Sequence, residues 1–149
     1  MFRWNMSLET GIVPVDHARR HLLEAMDDFF QIIDSPALTQ KQVAERTGAV
    51  FNAMKASFTA EEKYLGTRPE SESTPHMDKH AGLMQSYVDL CKKMVPRIKS
   101  IKQAQQACLE IYRCLDTAVS PHITDESLAY KHMTKHPVRT AEPPIASQA

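Results

Sequence analysis

Residues Pro75–His80 read PHMDKH, and the two histidines of this stretch stand at i and i+4. On a helix that spacing puts both side chains on one face, about 5–6 Å apart at Cβ. Two imidazoles so placed can share one metal ion at about 2.0–2.1 Å each. Thr74 and Pro75 supply a helix start, a hydroxyl N-cap and then a proline where its missing N–H costs nothing. Taken alone, the pair reads more readily as two surface histidines in a polar turn. It becomes half of a metal site only if other helices send side chains to the same depth.

Working outward, the chain supplies those helices. Helix A is expected over Val15–Ile33, with an apolar stripe of Val15, Leu22, Met26, Phe29 and Ile33 on which Arg19 also falls. Asp34, Ser35 and Pro36 stop it. Helix B opens with Thr39 as N-cap and Gln42 as its capping-box partner, and Gly66 closes it. Its inward stripe is Val43, Thr47, Val50, Met54, Ser57 and Glu61. After the polar loop RPESEST, helix C runs from Pro75 to about Met94 and aligns His76, His80, Leu83, Tyr87, Cys91 and Met94. Helix D starts near Ser100 and aligns Cys108, Ile111, Leu115, Ala118 and His122. Pro121 kinks it, or divides it with Ser120 capping a new segment. Residues 1–14 read as an arm laid over the bundle and anchored by Trp4. The chain after Met133, with Pro143–Pro144, reads as a disordered tail.

The fold class is therefore all-α: one antiparallel up-down-up-down four-helix bundle over residues 1–133, with an N-terminal arm and a tail over 134–149. Composition agrees. The 149 residues are 42% hydrophobic and 24% charged, with only 4 glycines. Eighteen basic residues balance eighteen acidic ones, so no basic surface argues for nucleic acid. No apolar run is long enough for a membrane span, and MFRWNMSLETG lacks the order of a signal peptide. Cys91, Cys108 and Cys114 cannot all pair within one chain and read as reduced thiols of a cytoplasmic protein.

In such a bundle, early A, late B, early C and late D share one end. Arg19, Ser57, Glu61, His76, His80 and His122 all lie at that end and all face inward. Six polar groups at one level oppose core packing, and they are what a metal site in a helical bundle looks like. Three histidines with or without one carboxylate suit a divalent transition metal, and residue type does not choose among zinc, iron, copper and nickel.

At this point the chain resembles the hemerythrins, in particular their bacterial relatives, over roughly residues 4–130. The resemblance rests on Trp4, TGIVPVD at Thr10–Asp16, FTAEE at Phe58–Glu62, the HMDKH pair, and HI at His122–Ile123. It implies a four-helix bundle in which histidines and bridging carboxylates hold two non-haem irons, one of which binds O2 reversibly. Carried over residue by residue, it makes His76, His80 and His122 ligands of one iron and Glu61 a bridging carboxylate. The remaining ligand positions are substituted. Arg19 stands for the helix A histidine, Ser57 for the helix B histidine, and Ser127 for the helix D aspartate, with Asp125 and Glu126 nearby. His17 and His21 lie about 200° around the helix from position 19 and read as surface residues, as do His132 and His136.

By the same resemblance, the two missing histidines, at Arg19 and Ser57, are those of the O2-binding iron, and one bridging carboxylate, at Ser127, is also gone. The expectation is a degenerate site holding at most one metal, through His76, His80, His122 and Glu61, with Arg19 in the second ion's place. Iron is the metal the resemblance implies, zinc is compatible, and di-iron is doubtful. O2 or another small ligand is the implied partner. Two other readings stay open: a metal-free bundle serving protein contacts, and a small mononuclear metalloenzyme. The enzyme reading is the less favoured, and no catalytic residue is assigned.

Overall fold

Local capping sets where the first two helices begin. Asp16 gathers the Thr10 N–H and hydroxyl at 2.8 and 2.7 Å and the Gly11 N–H at 3.2 Å. That closure bends the chain at Gly11, whose φ of 82° suits glycine. Helix α1 (Val13–Gln31) follows, and Pro14 sits in its first turn, where it is tolerated rather than helix-breaking. Helix α2 (Gln40–Leu65) opens on the Thr39–Gln42 capping box and stops at Gly66, as the sequence indicates.

The computed structural model describes residues 2–135. Helix α3 (Glu70–Met94) begins earlier than expected, so RPESEST is mostly helix and Thr74–Pro75 is not its start. The first four N–H groups of a helix have no partner inside it; Pro75, the sixth residue, lies just past them and removes one bond, that to the Ser71 carbonyl. Glu70 and Glu72 favour the positive end of the helix dipole, and Arg68 reaches Glu72 at 3.0 Å.

The fourth strut consists of α4 (Ile101–Cys114), one wide π-type turn over Leu115–Val119, and α5 (Ser120–Lys135). Pro121 neither breaks the chain nor starts a freshly capped helix. Its missing N–H and its ring are accommodated by the wide turn before it. The extra residue in that turn shifts the inward face by one position. Val119 is buried where Ala118 was expected, and His122, Ser127 and Tyr130 follow it inward. The helix runs through Lys135, two residues past the expected boundary; the tail expected beyond lies otherwise outside the described residues.

The four struts pack as an antiparallel bundle around Leu22, Met26, Phe29, Val50, Met54, Ile111 and Leu115. Both inward stripes of α1 and α2 are buried as the periodicity requires. The arm docks chiefly through Phe2 and Leu8, while Trp4 is half-buried under the Arg20 guanidinium at 4.7 Å. Lys131 Nζ ties the arm to α5 by donating to the Ser7 carbonyl at 2.8 Å. Cys91, Cys108 and Cys114 are free thiols, and no helix of the described residues is long and apolar enough to cross a membrane.

Candidate metal centre

Glu61 comes from the last turns of α2, His76 and His80 from the first half of α3, and His122 from the start of α5. The bundle brings them together at one end of the core. His80 and His122 are each 1% exposed and Glu61 has no exposed surface. Glu61 Oε2 lies 3.2 Å from His76 Nε2, 3.2 Å from His80 Nε2 and 3.7 Å from His122 Nε2. His80 Nε2 and His122 Nε2 are 3.0 Å apart. All four donor atoms fall within 4.8 Å of one another. Donors bound tetrahedrally to one ion at about 2.0–2.1 Å stand about 3.3 Å apart, so these separations are those of ligands around a common centre.

The outer nitrogens fix how two of the rings are used. His80 Nδ1 faces Glu62 Oε1 at 2.9 Å, and His76 Nδ1 faces Glu126 Oε2 at 3.2 Å. A carboxylate there holds the proton on Nδ1 and aims the Nε2 lone pair inward, as partners of metal-bound histidines do. Phe58 stacks flat on His80 at 3.9 Å between centroids. His122 lacks this support, since its Nδ1 has no hydrogen-bond partner among the described residues.

Two inward lone pairs aimed at a carboxylate repel unless a cation lies between them. With no ion bound, a proton serves. Burial alone would depress the His76 pKa, but hydrogen bonds and charge from Glu126 and Glu61 raise it to about 9. Burial would raise Glu61, yet polar contacts with His122, His76 and His80 and the charge of Arg19 hold it well below the usual carboxylate range. Glu126 is lowered to about 2, first by its hydrogen bond to His76. Burial keeps His122 neutral by lowering its pKa.

Arg19 does not escape to solvent. It is fully buried, and its Nε donates to Glu61 Oε1 at 2.7 Å. Its Nη1 donates to Ser127 Oγ at 2.8 Å and lies 3.4 Å from the Ile123 carbonyl. Ser57 is also fully buried on the neighbouring turn of α2, and its hydroxyl has no partner among the described residues. Of the three positions read as substituted, Arg19 and Ser127 are thus joined through one guanidinium, and Ser57 contributes only its small size. His17, His21 and His132 are exposed, and so is Asp125.

Three participants were not read from the sequence as members of the cluster. Glu62 follows Glu61 directly, and Glu126 was noted only as a neighbour of Ser127. Tyr130, eight residues after His122 and three after Ser127, falls on the same helical face, and that spacing was a usable signal. Its hydroxyl lies 3.4 Å from Glu61 Oε2 and 3.3 Å from His76 Nε2. An apolar surface groove of about 630 Å³, lined by Thr47, Phe51, Tyr87 and Cys91, lies towards the other end of α2 and α3 and includes none of the four donors.

Comparisons of the chain with protein-family models, with curated proteins and with solved structures returned no match. On its own geometry, the chain is a four-helix bundle with a buried cluster of Glu61, His76, His80 and His122 capable of coordinating a metal ion.

Proposed function

We propose that this chain is a hemerythrin-like bundle that binds one transition-metal ion, iron or zinc, through His76, His80, His122 and Glu61. The carrying observation is the meeting of three Nε2 atoms and one carboxylate oxygen from three helices at ligand-to-ligand distances. In this reading Arg19 replaces the second ion of the hemerythrin pair. Its guanidinium spans from Glu61 to Ser127, two positions that correspond to bridging carboxylates in that family. A fixed cation there makes a di-iron O2 carrier a poor description. A single ion, when bound, would supply a positive centre able to polarise a small ligand. The chain's own residues orient two imidazoles, exclude water and hold the Glu61 charge.

Metal analysis and calorimetric titration of the purified protein test this reading. One equivalent of iron(II) or zinc is expected in the wild type, and at least tenfold weaker binding in His122→Ala. Two irons per chain with oxo-bridged charge-transfer bands would restore the di-iron reading. No binding to a folded protein would leave the bundle a metal-free scaffold.

A further inference from the structure

Tyr130 is buried to 1% exposure beside Glu61 and His76, two of the four donors. Its hydroxyl makes two hydrogen bonds, to Glu61 and His76, both longer than the usual range of about 2.7–3.2 Å. The separations here are 3.4 Å to Glu61 Oε2 and 3.3 Å to His76 Nε2. Those distances also match the edge of about 3.3 Å between two donors on one ion. The phenol oxygen thus stands to Glu61 and His76 as those two stand to each other.

The ring is held in that place. The Arg19 guanidinium carbon lies 5.1 Å from its centroid, and the Tyr64 and His76 rings lie at 5.8 and 5.7 Å. Charge points the same way. Arg19 offsets the single charge of Glu61, and the carboxylates of Glu62 and Glu126 stand behind the His80 and His76 rings rather than at the centre. A phenolate would bring a negative charge to the centre itself, and a cation over the ring face favours the arrangement.

We propose that Tyr130 is a fifth protein ligand and that the site is built to hold a trivalent ion, ferric iron in the first instance, as a phenolate complex. The inference rests on the four-donor site proposed above and adds the ion's charge and one donor to it. On coordination the phenol O–H bond breaks, an oxygen–metal bond forms, and the proton leaves to bulk water. If iron enters as iron(II), one electron passes to an added oxidant.

The test loads the full chain with iron(II) without air, oxidises it with ferricyanide, removes excess reagents, and measures iron content and visible absorption. One iron and an intense phenolate-to-iron(III) band are expected, with tyrosine ring modes enhanced in resonance Raman spectra excited within it. Tyr130→Phe should still bind iron through four donors but lose the band, while Tyr64→Phe should keep it. Should Tyr130→Phe fail to fold, the variant with Tyr64, Tyr87 and Tyr112 all changed to Phe must keep the band. One iron without a band, or a band surviving Tyr130→Phe, overturns the phenolate and leaves the four-donor site standing. A wild type that binds no iron overturns both.

Discussion

Arg19 meets Glu61 at 2.7 Å with neither side chain exposed. Such a pair gains little over an apolar pair, because desolvating both charges offsets their attraction, but removing one member strands the other. Arg19→Ala is therefore expected to cost about 3–5 kcal/mol in urea denaturation of the metal-free protein. The double variant Arg19→Ala with Glu61→Ala should lose much less than the sum of the single losses. Lysine is not expected to rescue, since Nε and Nη1 engage Glu61 and Ser127 in different directions and an ammonium has no such fork. A nearly neutral Arg19→Ala would mean that the pair does not hold this end of the core together.

The elements differ in how openly the sequence announces them. Helices α1 and α2 each carry a regular inward stripe, and α2 a capping box as well, so Arg19 and Glu61 were legible as polar positions on those stripes. The start of α3 was not, because Glu70–Thr74 has no apolar period and is helical through first-turn charge and the Arg68–Glu72 pair. The wide turn at Leu115–Val119 was legible only through Pro121, which says that a regular helix must give way but not how. The turn nevertheless sets the aim of α5. Inserting one alanine after exposed Thr117 adds a residue beyond the one the wide turn already holds and rotates α5 by about 100°, which carries His122 and Ser127 off the inward face. The variant is expected to stay helical by circular dichroism and to lose metal binding in calorimetric titration. Unchanged affinity would show that α5 is positioned by its packing alone.

For the whole molecule, the cluster couples stability and metal uptake to pH. In the metal-free protein the His76 pKa is raised from 6.5 to about 9. Its stabilisation is complete below pH 6.5 and is lost as pH rises through 9. Glu126 is lowered from 4.5 to about 2, so its share is present above pH 4.5 and is lost as pH falls through 2. The lowered His122 adds a loss as pH falls below 6.5, where the unfolded chain takes up its proton, so thermal midpoints of the metal-free protein should peak near pH 6.5 and decline on both sides. An ion displaces the His76 proton, so metal affinity should rise with pH and level off above about 9. Calorimetry in buffers of different ionisation enthalpy counts that proton, and a count of zero at neutral pH would contradict the raised His76. The sequence placed four donors at one end by helix order alone. It hid Glu62 and Glu126 because their roles depend on which ring nitrogen each reaches, a matter of side-chain direction that residue spacing does not encode.

The Arg19–Glu61 pair also bears on supply. A cell must import and deliver an ion and can run short of it, whereas a guanidinium is made by the ribosome in every copy. With that charge written into the chain, the Glu61 carboxylate has its partner as soon as α1 and α2 meet. The newly made protein can then reach its bundle before any metal is delivered, and a chelator that strips the ion should leave a folded receptor rather than a collapsed one.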